Sequence, residues 1–179
     1  MSSGIRFFTG CLMHMNEIGT IVPSSKYVGR KMAKNLESRM ETIVELGGGT
    51  GVITKELLNK MNSNQRLLCF EINKEFCKTL IENWDGRLEV INDDAINMPS
   101  YLNGERPGLI VSTLPLAIMT NQKHNLLRMI KENLSERGKF VQLQYFRFDG
   151  KIYCDYFSHV LRRRVLFNLP PAFVYTCYN

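Results

Sequence analysis

The sequence predicts a single α/β domain with a doubly wound, mostly parallel sheet that ends in an antiparallel hairpin at one edge. From residue 42 onward, short β-rich runs alternate with segments of helical periodicity, which is typical of parallel strands joined by crossover helices. Near the C-terminus, two β-rich runs are separated only by Asn168–Pro171, a connection too short for a parallel crossover. The 179 residues fit one domain; we expect residues 1–39 to form a helical segment over the site and residues 42–178 to form the core.

Hydrophobic periodicity places the elements of the core in order along the chain. Five strands are predicted, at Thr42–Leu46, Leu67–Phe70, Leu88–Ile91, Leu109–Ser112 and Phe140–Tyr145. A helix leads into the first strand, and three more are predicted between strands, at Val52–Met61, Lys74–Trp84 and Asn121–Leu134. Gly138 is expected to cap the last of these helices at its C-terminus.

The pattern changes after the fifth strand. Lys151–Leu161 carries apolar residues at helical spacing, so a helix is predicted there. Val165–Phe167 and Ala172–Tyr178 are predicted to form the two strands of the edge hairpin. A parallel wind of five strands completed by such a hairpin is unlike a dehydrogenase.

The chain has a net charge of +6, and the positive charge is concentrated at its two ends. This distribution indicates either an anionic partner, such as a phosphate backbone or a lipid surface, or a solvated face that maintains solubility. The five cysteines show no disulfide or metal-ligand spacing, so a reducing compartment and no bound metal are expected. With no membrane-spanning run and no secretory signal, we expect a cytoplasmic protein, with peripheral binding to the inner face of the membrane as the alternative.

The strongest local signal is the run ELGGGTG at residues 45–51, between the first strand and its helix. Glycines at alternate positions let the backbone turn sharply and approach a ligand closely. A dinucleotide site would require G-x-G-x-x-G, but the sixth position counted from Gly47 is Val52. The acid at Glu45 would repel a pyrophosphate, whereas it suits a cationic amino-acid ligand.

Two further carboxylates follow at successive strand ends. Glu71 closes the second strand, twenty residues after Gly51, where a carboxylate can accept hydrogen bonds from both hydroxyls of a ribose. Asp94 and Ala95 follow the third strand, where a carboxylate and a backbone amide can bind an adenine edge. Because ligands of open α/β sheets bind at the carboxyl ends of the strands, the loop and both acids predict one nucleoside site. The alternative is a structural glycine turn with two surface acids.

On these residues the chain resembles the class I S-adenosylmethionine (SAM)-dependent methyltransferases, and the resemblance covers residues 42–178. It implies a Rossmann-like fold, methyltransferase activity and SAM as the cofactor. The residues that it assigns to SAM are Glu45, Gly47, Gly49 and Gly51 for the methionine part, Glu71 for the ribose, Asp94, Ala95 and Ile72 for the adenine, and Ser112.

Motif by motif, the chain is similar to the bacterial phospholipid N-methyltransferases, which methylate phosphatidylethanolamine. The stretches that carry this similarity are Ile18–Ser25, Ser112–Leu116 and Phe167–Tyr175, with a looser match at Val141–Tyr145. The resemblance implies that the methyl acceptor is the amine headgroup of a phospholipid and that the protein contacts a membrane surface. The basic residues expected at that contact are Lys26, Arg30, Lys31, Lys34 and Arg39.

Methyl transfer to an amine is an in-line displacement, so positioning matters more than a nucleophilic side chain. Beside the acceptor we expect the loop residues Thr113, Leu114, Pro115 and Leu116, with Tyr145 and Tyr27 positioning the amine. For each of these residues taken singly, a packing role is the alternative.

The early motifs also resemble those of the rRNA adenine dimethyltransferases. Those enzymes carry Asn-Leu-Pro-[Tyr/Phe] after the fourth strand, where the Asn and a backbone carbonyl grip an exocyclic amine and the ring stacks on the base. Here Thr113–Leu116 lacks both the amide and the ring, and stacking contributes about 1–3 kcal/mol per base. RNA is therefore the alternative substrate, followed by a small-molecule amine.

Overall fold

The computed structural model describes residues 25–82, 86–119, 122–145, 150–165 and 172–179. The strands within these ranges are β1 (Thr42–Leu46), β2 (Arg66–Phe70), β3 (Leu88–Ile91), β4 (Leu109–Ser112), β5 (Lys139–Tyr145), β6 (His159–Val165) and β7 (Ala172–Tyr178). The helices are α1 (Lys26–Ala33), α2 (Val52–Leu58), α3 (Lys74–Glu82), α4 (Gln122–Asn133) and α5 (Lys151–Cys154), together with a 3₁₀ helix at Ala95–Tyr101.

The strands form one mixed sheet in the order β3-β2-β1-β4-β5-β7-β6. The first five pair in parallel, β7 is antiparallel to β5, and β6 is antiparallel to β7. The predicted parallel wind with an antiparallel edge hairpin is therefore confirmed. Because the strand order reverses between β1 and β4, their connections diverge and open a crevice at the carboxyl ends of the strands.

The central strands are apolar on both faces because helices cover both sides of the sheet. β1 is buried along its whole length. Ile43 packs with residues of α1 and α2 on one face, whereas Val44 and Leu46 pack with α4 and the 3₁₀ helix on the other. The carboxyl ends of β1 and β4 are thereby fixed between two packed layers.

Helix α1 begins at Ser25, whose hydroxyl accepts a hydrogen bond from the Val28 N–H. Val28 and Met32 are fully buried against the sheet. The Lys60 ammonium donates to three carbonyl oxygens at the C-terminal end of α1, which satisfies acceptors that a helix end leaves open.

The direction of α1 follows from its contacts with α2. A Cβ at Gly29 would lie 3.1 Å from the Val52 carbonyl oxygen, so the start of α1 lies against the start of α2. The end of α1 meets Lys60, just beyond the end of α2. Helix α1 therefore runs antiparallel to β1, and its first turn lies at the carboxyl end of the parallel strands.

One crossover helix is shorter than predicted. Helix α2 ends at Leu58 rather than Met61, because the Lys60 N–H bonds the Leu57 carbonyl in a tighter final turn. Helix α3 is described as far as Glu82, and the last part of its predicted range, 83–84, lies outside the described residues.

The predicted C-cap at Gly138 is wrong. Helix α4 ends at Asn133, and Gly138 is not among the glycines with positive φ in the described residues. Its N–H closes a turn onto the Ser135 carbonyl at 2.8 Å, ahead of β5. Glycine is required there by crowding, because a Cβ would lie 2.7 Å from Cγ of Leu134.

The predicted helix at Lys151–Leu161 is also largely wrong. Only Lys151–Cys154 is helical, and strand β6 begins at His159 rather than at Val165. The apolar residues at helical spacing belong to a short helix and then to a strand, because pairing with β7 satisfies the backbone groups of β6 that point toward β7.

Several predicted features lie outside the described residues. They are the stretch 18–24, the start of the fourth predicted helix at Asn121, and the connection 166–171 with Phe167. Among the helices that the structure describes, none has the length and apolar character needed to cross a bilayer.

Candidate active site

A cavity of about 310 Å³ opens where β1 and β4 diverge. Its lining residues come from the ends of β1, β2, β3 and β4 and from the first turns of α4. Six residues predicted from the sequence are among them, namely Gly47, Glu71, Ile72, Asp94, Ala95 and Leu114. The sequence therefore predicted the location of the cavity.

The glycine loop makes the sharp turn that its spacing predicts, and its backbone is left-handed at three glycines. Gly47, Gly49 and Gly51 have φ of +88°, +51° and +80°. A Cβ at Gly47 would lie 2.7 Å from the Thr113 hydroxyl, so this glycine is required by close packing. A Cβ at Gly49 would meet no protein atom within 4 Å, so the backbone here faces open space that a ligand can occupy.

Glu71 holds the glycine loop in place. Its carboxylate is 5% exposed, and its two oxygens accept from the backbone N–H groups of Gly49 and Asn73, each at 2.8 Å. The Asn92 amide donates to the carbonyl oxygens of Glu71 and Ile72, which fixes the turn after β2. A carboxylate offers about four acceptor sites, so Glu71 retains capacity for the two hydroxyls of a ribose.

The acids after β3 have separate tasks. Asp94 begins the 3₁₀ helix, and its Oδ1 accepts from the Ile96 N–H at 3.1 Å. Asp93 accepts from the Asn97 amide and the Tyr101 hydroxyl, and these bonds hold the pKa of its carboxyl below its usual range. Both residues line the cavity, and sequence reasoning assigned a role only to Asp94.

Glu45 lies in the core at the end of β1, with no exposed surface. Its Oε2 accepts from the Thr54 hydroxyl at 2.7 Å, whereas Oε1 has no hydrogen-bond partner in the described part of the chain. Burial raises the pKa of this carboxyl to about 8. Because Glu45 is fully buried and does not line the cavity, its carboxyl can favour a cationic group at the glycine loop only as a nearby charge, without direct contact.

These features fit SAM. The open backbone at Gly49 and the nearby carboxyl of Glu45 suit the aminoacyl part, and Glu71 suits the ribose. The apolar wall with Ile72 and Ala95, next to the Asp94 carboxylate, suits the adenine. These individual assignments stay predictions.

The loop after β4 is bonded internally. Ser112 Oγ is fully buried and accepts from the Leu114 N–H, and the Thr113 hydroxyl donates to the Gly47 carbonyl at 2.8 Å. The Leu114 carbonyl accepts from the Gln142 amide at 2.9 Å and from the Leu116 N–H at 2.9 Å.

Leu116 is fully buried, and Pro115 is half-buried. Of the five residues Ser112–Leu116, only Leu114 is among those that line the cavity.

Tyr145 and Tyr27 do not line the cavity. Tyr145 packs against the core on the face covered by α1, and Tyr27 is 57% exposed on α1 itself. The structure brings the two residues to the same face and the same end of the sheet, apart from the pocket that holds the cofactor candidates. Their predicted role in positioning the amine is not tested by this arrangement.

Sequence reasoning missed one wall of the cavity. Met119, Gln122, Asn125 and Leu126 complete the lining from the loop after β4 and from helix α4. Gln122 and Asn125 are three residues apart, and this spacing alone indicates that they share one face of the helix. The sequence does not indicate which face of α4 turns toward the carboxyl ends of the strands.

The fold and this site define a class I SAM-dependent methyltransferase. Residues 28–141 match the family model described as ribosomal RNA adenine dimethylase, and the chain belongs to that family. Family membership makes SAM the methyl donor.

Two curated relatives differ in their acceptors. An ornithine lipid N-methyltransferase of Singulisphaera acidiphila is 29% identical over 92% of this chain and 90% of its own length. The ribosomal RNA small subunit methyltransferase A of Mycoplasmopsis pulmonis is 27% identical over 84% of this chain, which spans only 62% of that enzyme. Among solved structures, the N-methyltransferase NodS of Bradyrhizobium japonicum has the same fold, with a TM-score of 0.66, 12% identity, and coverage of 86% of this chain and 94% of that one.

Proposed function

We propose that this methyltransferase acts on the amine of a membrane lipid, either phosphatidylethanolamine or an amine-bearing lipid such as ornithine lipid. The observation that supports the proposal is the hydrogen bonding and burial of the loop after β4. A nucleobase amine would need an amide, a free carbonyl and a stacking ring at these positions. Thr113 supplies no amide, the Leu114 carbonyl already has two donors, and Leu116 is a buried aliphatic residue.

The length of the relatives supports the same acceptor. The lipid N-methyltransferase matches this chain over nearly the whole of both proteins, whereas the matched rRNA methyltransferase extends well beyond it. The RNA alternative is supported by the family model, which describes adenine dimethylation.

The chemistry requires little from the protein beyond positioning. SAM, when bound, supplies a methyl group on a sulfonium that leaves as a neutral thioether. Glu71 and the glycine loop fix the cofactor against β1 and β2, and the satisfied loop after β4 provides a rigid, largely apolar wall. Such a wall excludes water from an amine that must arrive neutral.

Incubation with labelled SAM tests the acceptor directly. The purified chain is offered vesicles that contain phosphatidylethanolamine, vesicles that contain ornithine lipid, total RNA, and a panel of small amines. We expect label in an amino lipid, and none with the Gly49→Val variant. Label in RNA alone would establish the adenine-methylating alternative, and label in the small amines alone would exclude both polymer and membrane substrates.

The loop itself gives a second test. Thr113→Asn with Leu116→Phe rebuilds the base-gripping pattern of the adenine enzymes but breaks the bond to Gly47 and overpacks a buried site. We expect lower lipid methylation without any gain on RNA. Thr113→Val, which removes only the hydroxyl, is the matched control for the lost Gly47 bond.

A further inference from the structure

The edge strand β6 carries three consecutive arginines, Arg162, Arg163 and Arg164, and all three are exposed. Side chains of a strand alternate, so Arg163 lies on one face of the sheet and its two neighbours lie on the other. The Arg162 guanidinium lies over the Phe173 ring, 5.6 Å from its centroid. Among the described residues, no carboxylate is within ion-pair distance of these three guanidiniums.

The register places this arginine strip at the same end of the sheet as the cavity. Strands β5 and β6 are both antiparallel to β7, so β6 points in the same direction as the parallel strands. Arg162 pairs with Tyr175 of β7, and Tyr175 pairs with Gln142 of β5. Gln142 in turn pairs with Ser112, the last residue of β4. Arg164 lies two residues further toward the open end, where the cavity forms.

Helix α1 extends the strip around the edge. It packs against β6 and β7, and its first turn is at this same end of the sheet. Arg163 pairs with Val174, which belongs to the core on the α1 face, so Arg163 and α1 share that face. Lys26 and Arg30 are exposed on α1, although Arg30 is 3.5 Å from Glu56. We call these five cations of β6 and α1 the basic rim.

We propose that the basic rim docks the enzyme on a bilayer surface that contains anionic lipids, with the site-bearing end of the sheet toward the headgroups. This inference rests on the proposed lipid function and names the surface on which it is carried out. Guanidinium groups bind lipid phosphates through paired hydrogen bonds, and arginine is favoured for this geometry. The exposed Tyr27 lies within the rim, and tyrosine is enriched where protein meets the membrane interface.

Protection of an edge strand is the other common use of such charges, but it does not explain their placement. A single charge or a bulge is enough to discourage pairing with another chain. Here three guanidiniums occupy both faces of β6, and Lys26 and Arg30 of helix α1 extend the positive charge at the same end of the sheet. An extended positive surface at the same end of the sheet as the cavity is complementary to a negatively charged bilayer.

Sedimentation with vesicles tests the docking surface. The triple variant Arg162→Gln, Arg163→Gln, Arg164→Gln is compared with Lys78→Gln, Arg128→Gln, Arg137→Gln, which removes the same charge from exposed positions outside the rim. The probes are vesicles of phosphatidylcholine with and without phosphatidylglycerol, and a duplex RNA. Each cation near an anionic surface strengthens binding about fivefold at low salt, so we expect roughly 100-fold weaker binding to phosphatidylglycerol vesicles for the β6 variant. The control should bind within a fewfold of wild type, and SAM affinity should be unchanged in both.

Activity separates this inference from the proposed function. The β6 variant should methylate an amino lipid in neutral detergent micelles at the wild-type rate and in anionic vesicles far more slowly. Equal rates on vesicles for variant and wild type, or loss of RNA binding with vesicle binding intact, would overturn the docking surface while leaving the lipid activity in place. No methylation of any amino lipid by the wild type would instead overturn the proposed function.

Discussion

The two halves of the carboxyl end of the sheet differ in the polar groups that they expose to the cavity. On one side, the turns after β1, β2 and β3 present polar or open groups to the cavity, including the Glu71 carboxylate and the Gly47 backbone. On the other side, the loop after β4 bonds its polar groups to Gly47, Gln142 and itself.

This difference reflects what each half must recognise. A cofactor with fixed charges and hydroxyls requires complementary groups at fixed places, so its site carries an explicit chemical pattern. In the function proposed above, the acceptor amine is delivered by the surface that holds its lipid, so the protein can rely on shape and on docking. The cofactor half could therefore be predicted from residue types in the sequence, whereas the acceptor half can be described only from contacts in the structure.

Gly49→Val should produce the largest effect on the cofactor half. The side chain would enter the open space in front of the loop, and we expect SAM affinity to fall by at least 100-fold by calorimetry. Gly104→Val is the matched control, because Gly104 also has positive φ, at +82°, with open space around its Cβ position. Both variants should lose about 1–2 kcal/mol of stability from backbone strain. Equal SAM affinity in the two variants would contradict the assignment of the loop.

Glu45→Gln should change the pH dependence of folding. The folded-state pKa of about 8 lies above the usual glutamate value, so the folded state holds its proton more tightly than the unfolded state. Stability is therefore greatest at low pH and is lost as pH rises from about 4.5 to 8. Relative to Glu45→Gln, the wild type should lose about 3 kcal/mol of unfolding free energy between pH 5 and 8 in urea titrations.

SAM should restore part of that loss at pH 8, because a cation near Glu45 favours its ionised form. Glu75→Gln, on the exposed face of α3, is the control and should follow the wild-type pH profile. A Glu45→Gln profile parallel to that of the wild type would show that the carboxyl titrates normally.

Glu71→Ala should weaken SAM binding by about 1.5–3 kcal/mol, the range for hydrogen bonds to a charged group. The variant also leaves the Gly49 N–H without its acceptor, so amide hydrogen exchange in the glycine loop should rise. Glu71→Gln retains an acceptor for that N–H and should protect the loop while still binding SAM more weakly. Wild-type affinity in both variants would exclude a role for Glu71 at the ribose.

Asp94→Asn should have the smallest effect. Asparagine caps a helix as well as aspartate does, so the 3₁₀ helix should persist and stability should change little. The loss of SAM affinity should be below that of Glu71→Ala, because the amide can still accept one hydrogen bond from the adenine. A ligand-bound crystal structure with the adenine amine beyond hydrogen-bonding distance of Asp94 would contradict the assignment.

Local pattern was sufficient wherever an element and its function are encoded within a few residues. The sharp turn at Gly47, Gly49 and Gly51 followed from glycine spacing, and the parallel wind followed from alternating periodicities. The same reasoning failed at Lys151–Leu161, where apolar residues at helical spacing belong partly to a strand. Periodicity describes one segment, and it does not include the partner strand β7 that determines the outcome.

The sequence by itself determined the class of enzyme, the cofactor that this class uses and the end of the sheet where the cavity lies, because charges, glycines and strand ends are local properties. Tertiary structure decided the rest. It placed Gln122 and Asn125 in the lining of the cavity. It also bonded the Leu114 carbonyl to the Gln142 side chain of β5 and brought Arg163 of β6 onto the same face of the sheet as α1. Each of these contacts joins segments that are distant in the chain, and long-range packing and pairing fix them rather than any local preference.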